Sequence, residues 1–493
     1  MNRHFPLFLL TVMTSFGAYA QSDTLRLTLD QVIDMASQNS INAFRIKNMY
    51  RSSYWSFRYF KASRLPSLTL DATPFDYNHL RSKEYNISTN EDVFVQREYF
   101  NSDFSLSLNQ AIPLTGGSLF MSSDLGLVKN LGSGSDSYRA TPISIGFQQT
   151  LNGYNQMKWE SKIEPLKYEK AKRQLIESRE ELSISAVTRF FSLAAAQVRL
   201  NIAITNMASA DTLYNIGKGR FQIGTVTQDE LLKLELNLLE ARSTLTSVRS
   251  QVTRTMTELC TFLAIDKNTK IECIVPVNIP SLQIDTQEAL DKAWENNPIV
   301  LDHEQRLLEN NQNVARTKSQ MGFNTTIYAS YGLDQSSEKL KEVYNEPDNS
   351  QRFRLGVRIP ILDWGQRKGN YQMAKYQRDA QQLVIEQERI EFELGLIQQV
   401  IDFNLQSEQV HTAAMADTVA RKGYEVTFQR FIIGKVDVIN LDQARNNLQN
   451  ARLSYIQAVQ SYWNYYYTLR SQTLFDFATR QTLSAEYDKL LEE

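Results

Sequence analysis

The sequence predicts a mostly α-helical chain of two pseudo-symmetric repeats, each carrying a block of strands suited to a β-barrel wall. Three observations predict it. Residues 214–242, slid by 210 positions onto 424–452, give eleven identities in twenty-nine positions without a gap, among them Arg220/Arg430, Phe221/Phe431, Gly224/Gly434, Val226/Val436 and Leu231/Leu441. A self-match of that length marks a repeated structural unit. Long stretches of helical character run from about Gln156 to Gln222, with Pro165 as their one proline, and from about Gln366 to Ile432. Each repeat also holds a segment in which apolar and polar residues alternate, the period of a half-buried strand.

Met1–Ala20 opens with Arg3, continues with an apolar stretch from Phe5 to Met13 and ends on small residues at Ala18 and Ala20. That pattern reads as a cleavable secretory signal. Its removal takes the formal charge from -2 to -3, so the mature chain is nearly neutral. A nucleic-acid partner needs a basic footprint, which this balance does not provide. No other stretch approaches the roughly 18 apolar residues of a spanning helix, so a membrane-crossing form of this chain must cross as strands.

The first repeat, about 21–270, starts with a helical region from about Thr28 to Ser63. Its strand block, about Pro66 to Thr150, alternates Phe104, Leu106 and Leu108 with Ser105, Ser107 and Asn109, and Ile143, Ile145 and Phe147 with Ser144, Gly146 and Gln148. Leu114-Thr115-Gly116-Gly117 is a turn signal, and a Gly/Ser run covers 132–137, so the block holds either extra strands or long loops. The helix that follows has 67 residues and a length of roughly 100 Å at about 1.5 Å per residue. Gly224 then marks a tight helix reversal, where a left-handed backbone favours a residue without Cβ. The return helix, about Thr227 to Phe262, carries Leu231, Leu234, Leu238, Ala241, Leu245, Val248 and Val252 in alternating steps of three and four, the spacing of a coiled-coil seam.

Cys260 and Cys273 flank the end of that helix and the start of a connector at 271–284. An oxidising compartment permits a disulfide between them, and the spacing leaves the geometry open. The second repeat, 285–477, restates the order: a helix at about Thr286–Gln320, strands within Phe323–Pro360, the second rod, a reversal at Gly434 and a return helix at about Asp437–Phe475, before a tail at 478–493. Asp34, Ala36 and Asn39 echo in Asp291, Ala293 and Asn296. Phe353, Leu355, Val357 and Ile359 alternate with Arg354, Gly356 and Arg358, which fits a barrel wall with a wet lumen and equally a half-buried soluble sheet.

Catalysis finds little support. His79, His303 and His411 are far apart and in no metal-ligand spacing, and neither a nucleophile elbow nor a phosphate-binding loop is present, so no cofactor and no metal is expected. The aromatic clusters Tyr54-Trp55-Phe57-Tyr59-Phe60 and Trp463-Tyr465-Tyr466-Tyr467 read as packing at the junction of strands and rods.

The order of signal, short helix, strands, rod, glycine reversal and heptad helix, given twice, resembles the TolC family of outer-membrane efflux and export ducts. Its local marks are Arg220-Phe221-Gln222-Ile223-Gly224 with Leu231, Arg430-Phe431-Ile432-Ile433-Gly434 with Leu441, and Ile359-Pro360-Ile361-Leu362-Asp363-Trp364-Gly365. The resemblance implies a homotrimer whose strands close one barrel in outer-membrane lipid and whose helices continue as a periplasmic tunnel. It further implies a tip at Arg220, Phe221, Gly224, Val226, Arg430, Phe431, Gly434 and Val436, where a membrane-fusion adaptor docks and links the duct to an inner-membrane pump. Aligned on the glycines, Phe431 and Val436 stand where such ducts carry a tyrosine and an arginine, Glu230 stands at their partner aspartate, and Asn440 and Gln443 stand at two aspartate rings. Asp437 and Asp442 are displaced from those positions. The expected gate, with Glu230, Asp437, Asn440 and Gln443 as candidates, is held by packing and neutral hydrogen bonds. The competing reading is a secreted periplasmic coiled-coil scaffold without a pore.

Overall fold

A computed structural model describes residues 24–493 except 89, 132, 133, 277, 278, 434, 437, 486, 488 and 493. The signal read at Met1–Ala20 lies outside the described residues, as do Gly434 and Asp437. The first half runs β1 (Leu25–Thr28), α1 (Leu29–Asn39), α2 (Ile41–Ala62), β2 (Ser67–Asn86), β3 (Glu91–Ile112), β4 (Gly117–Asn130), β5 (Ser135–Leu151), α3 (Gln156–Gln222) and α4 (Gln228–Phe262). The second runs β6 (Ile271–Ile274), α5 (Thr286–Asn296), α6 (Pro298–Met321), β7 (Asn324–Ser337), β8 (Asp348–Arg358), α7 (Gln366–Ile432) and α8 (Val438–Thr473), followed by β9 (Phe475–Asp476), β10 (Gln481–Thr482) and α9 (Lys489–Glu492). Both rods have the expected 67 residues. No helix among the described residues is long and apolar enough to cross a membrane.

The opening helix of each repeat, expected unbroken, is two helices. Ser40 ends α1 in an extended conformation, and its hydroxyl accepts the Ala43 N–H at 3.1 Å to start α2. In the second repeat Asn297 accepts the Ile299 N–H at 2.8 Å and Pro298 occupies the first helical turn of α6. Proline there loses no intrahelical bond, whereas the residue before it is driven out of the helical region. The echoed residues fall at equivalent places: Ala36 and Ala293 are buried, and Asn39 and Asn296 are the last residues of α1 and α5.

Two compact units divide the chain, and both cut across the repeats. One comprises the chain up to Ile46 with Ser178–Glu288 and Gln398–Gln481; the other comprises Lys47–Glu177, Ala289–Ile397 and Thr482–Glu493. The first is helical, with a parallel β1–β6 pair beside it. Phe190, Phe191 and Leu193 of α3 are fully buried there, and the Phe403 ring of α7 lies 5.2 Å from that of Tyr462 on α8. Gln197 docks β6 onto α3: its amide donates to the Ile271 carbonyl at 2.5 Å and its oxygen accepts the Cys273 N–H at 3.1 Å.

The second unit holds one antiparallel sheet of six strands in the order β2-β3-β4-β5-β7-β8. The excess length of the first strand block is therefore sheet, with four strands from the first repeat and two from the second. Leu68, Leu108, Met121, Ile145, Tyr331 and Gln351 follow one another across the six strands, and with the residues two positions away they make a mainly apolar face. On the opposite face lie Thr69, Ser107, Ser122, Ser144, Gly332 and Ser350. Alternation along a strand forces this division, because successive side chains point to opposite sides. In the same unit the Phe57 and Tyr168 rings stack at 4.7 Å and Tyr54 also lies against Tyr168, so part of the first aromatic cluster packs α2 on α3, whereas Trp55 and Tyr59 are exposed. The second cluster lies in the helical unit, where Tyr462 and Tyr466 pack on Phe403 and Trp463 and Tyr467 pack on them in turn.

Candidate functional site

The sharpest local geometry falls where the self-match is strongest. At the end of α3 the Thr225 N–H donates to the Arg220 carbonyl at 3.0 Å and the Gly224 N–H to the Phe221 carbonyl at 3.0 Å. This is the Schellman arrangement, and Gly224 takes its left-handed position with φ +77°. The Thr225 hydroxyl adds a second bond to the Arg220 carbonyl at 3.0 Å. In the second hairpin the Lys435 N–H reaches the Arg430 carbonyl at 2.9 Å, the same bond displaced by 210 residues.

Glu230 has a structural task beyond the gate role expected of it. Its carboxylate accepts the Thr227 N–H at 2.9 Å, while the Thr227 hydroxyl donates to Asp229 at 2.6 Å. The Thr-x-x-Glu pattern that announces such a capping box stands in the sequence as Thr227–Glu230. That hydroxyl, above all, holds the Asp229 carboxyl below its usual range, with Lys233 3.8 Å away assisting. In the second hairpin Gln443 donates to Asn447 at 2.9 Å, and Asp442 pairs with Arg445 at 2.8 Å. Arg220, Phe221, Arg430 and Asn440 are exposed or nearly so, Val226, Phe431 and Val436 are half-buried, and the bonds named here each run within one hairpin.

The predicted seam is the inward face of α4: Leu238, Leu245 and Val252 are buried, whereas Leu232, Leu236 and Leu239 are each 55% exposed. The two helices approach closely at Gly217, where a Cβ would lie 2.5 Å from Leu234 Cδ1. Arg242 of α4 reaches Asp211 of α3 at 3.8 Å, and its repeat counterpart Arg452 reaches Asp417 of α7 at 3.7 Å. The arginine is identical between repeats and its partner has moved by about one helical turn.

The cysteines are not bridged. Cys260 Sγ faces the Thr269 carbonyl and Cys273 Sγ the Phe190 carbonyl, each at 3.7 Å. Burial raises both thiols, that of Cys273 to about 12.

On the strand-bearing unit, sequence reading found Arg354 and Arg358 and missed the acids facing the same side. Asp71, Asp103 and Asp124 lie on the polar face, where Asp124 accepts from Ser105 at 2.5 Å and from Ser122 at 3.1 Å. The signal was available in Thr69-Leu70-Asp71-Ala72 and Ser105 to Asn109, where every second residue is polar. After β8, the Asp363 carboxylate accepts the Gly365 N–H at 3.0 Å and starts α7, leaving Trp364 89% exposed. Among the described residues no group of three or more His, Cys, Asp or Glu side chains is arranged to hold a metal ion.

The model of the outer membrane efflux protein family matches residues 61–264 and 289–473. No curated protein matches the sequence. Among solved structures, the CmeC outer membrane channel of Campylobacter jejuni is 16% identical with a TM-score of 0.66, covering 100% of this chain and 97% of its own. A membrane protein from Pseudomonas aeruginosa is 15% identical with a TM-score of 0.63 over 90% of both chains. The MtrE outer membrane channel of Neisseria gonorrhoeae, in its open state, is 13% identical with a TM-score of 0.59, covering 90% of this chain and 88% of its own. At these identities the likeness is one of fold.

Proposed function

The chain belongs to the outer membrane efflux protein family, and from that membership we propose that it is a passive trimeric exit duct, opened at its helical tips by a periplasmic adaptor and an inner-membrane pump. One observation carries the reading: a six-stranded sheet with a mainly apolar face and a polar face, in a chain whose remaining bulk is long helices. Strands can cross lipid only when their backbone bonds are satisfied by closure, so such a sheet needs companions. The apolar face then meets lipid and the polar face lines water. The scaffold alternative gives that apolar face nothing to meet.

In this reading the duct performs no chemistry; the pump supplies the work and this chain supplies a gated passage. The two tips differ in charge, with Glu230 in one and Asn440 at the matching place in the other, so acidic charge at the mouth comes mainly from the first repeat. Arg220, Phe221, Gly224 and Val226, with Arg430, Phe431, Gly434 and Val436, form the adaptor surface. The test is site-specific photo-crosslinking from Gln222 in intact cells. A periplasmic adaptor should be captured there and not from an exposed residue of the sheet. Capture at neither, with export unimpaired when the chain is deleted, would count against the reading.

A further inference from the structure

The two edge strands of the sheet are complementary to each other. We infer that β8 of one copy pairs with β2 of a second copy in one register, with Arg354 opposite Asp71, so that three copies close a barrel of eighteen strands, six from each. The inference rests on the trimeric reading above and adds the seam, its register and the size of the pore.

Direction comes first. Five successive antiparallel pairings separate β2 from β8, so the two edges run oppositely and can themselves pair antiparallel. Register follows from the strand ends. One row runs level across the sheet through Ser67, Asn109, Phe120, Gly146, Ser330 and Arg352. β2 begins at Ser67 and β8 ends at Arg358, just ahead of Pro360, which has no N–H to give to a ladder. Matching those two ends steps the row by six residues per copy, from Arg352 to Arg358, and therefore by eighteen around three copies. A shear equal to the strand number is the ratio at which barrel strands tilt by about 36°, within the range of outer-membrane barrels.

Chemistry agrees with that register. Arg354 then faces Asp71 on the polar side, while Phe353, Leu355 and Val357 meet Ala72, Leu70 and Leu68 on the apolar side. Near the matched strand ends the charges are segregated: Arg352, Arg354 and Arg358 lie on β8, and Asp71 lies on β2, with Asp103 on β3 and Asp124 on β4 on the same face. A slip of one residue would turn the arginines toward lipid, and a slip of two would move Arg354 off Asp71. Barrels of sixteen to eighteen strands leave an aqueous channel, so the lumen through the membrane is open and gating falls to the helices.

The test places cysteine pairs across the seam of the full-length protein in the outer membrane, with single-cysteine controls. Thr69→Cys with Gly356→Cys should give disulfide-linked trimers on mild oxidation, and Thr69→Cys with Arg354→Cys should give far fewer. Independently, Asp71→Arg or Arg354→Asp alone should lower the heat resistance of the trimer in detergent, and the double exchange should restore it. Trimers that crosslink at another register, or a double exchange without recovery, overturn the seam and leave the duct reading standing. A chain that stays monomeric and crosslinks at no pair overturns both.

Discussion

Arg470 and Glu180 meet at 3.0 Å although 290 positions separate them. Arg470 Nη2 also donates to the other carboxylate oxygen at 3.1 Å, while Nη1 reaches Asp476 at 3.3 Å and Tyr466 donates to Asp476 at 2.6 Å. Burial raises the Glu180 carboxyl against the pull of Arg470. Burial opposes ionisation of Asp476 as well, but the bond from Tyr466 and the charge of Arg470 hold it below its usual range. The cluster joins the end of α8 to α3 at the C-terminal side of the second repeat. Removing one partner from such a group leaves the others charged and poorly solvated, so Arg470→Ala should destabilise the helical unit by about 3 kcal/mol. Glu180→Leu combined with Arg470→Met should cost less than Arg470→Ala alone, as read by urea unfolding.

Glu388 gives stability a defined acid limb. Arg306 donates to it through Nη1 at 3.1 Å and through Nη2 to the second oxygen, His303 Nε2 lies 3.1 Å away, and Asp302 faces the same guanidinium at 2.7 Å. The Arg306 bond is the main reason the carboxyl sits below its ordinary value of 4.5. A lowered folded value means the contribution is present above pH 4.5 and disappears as pH falls through the folded value. Wild type and Glu388→Gln should therefore differ in thermal unfolding at pH 7 and converge below pH 4.5, followed by circular dichroism.

Gly224 and Gly219 should respond to alanine with opposite signs. Gly224 sits at φ +77°, where a Cβ costs roughly 1–2 kcal/mol. Gly219 is inside the last turn of α3 with no neighbour within 4 Å of a built Cβ, so alanine there should gain about 0.5–1 kcal/mol of helix stability. Hydrogen exchange of the hairpin peptide should speed up for Gly224→Ala and slow for Gly219→Ala.

The capping role of Glu230 separates charge from fold. Glu230→Gln keeps an acceptor for the Thr227 N–H, whereas Glu230→Ala loses it at a cost of about 1 kcal/mol. Exchange protection of the first turn of α4 should fall only in the alanine variant. A change in cation block of the channel in the glutamine variant would then report charge at the mouth.

The repeats, the rods and the inward stripe of α4 were legible because each is written in a period or a self-match that local physics must obey. The helix breaks at Ser40 and Asn297 were also written locally, in a capping serine and an Asn-Pro pair, but the apolar pattern runs through them and hides them. The cluster around Arg470 was not legible, since its members come from positions 180, 466, 470 and 476 and nothing local marks their meeting. Strand number was undecided for a different reason: turn signals such as Thr115-Gly116-Gly117 punctuate hairpins and loops alike, and only the pairing of β4 with β3 and β5 distinguishes them. Glu230 illustrates a third case, in which a residue read for its charge also carried a capping pattern of its own.

The water-filled passage proposed for this chain is tested most directly by the conductance of the purified, full-length protein reconstituted into planar lipid bilayers. Detergent-dependent trimers should insert and give discrete, long-lived ion-conducting steps. A protein that is soluble without detergent and leaves the bilayer silent would contradict the proposal.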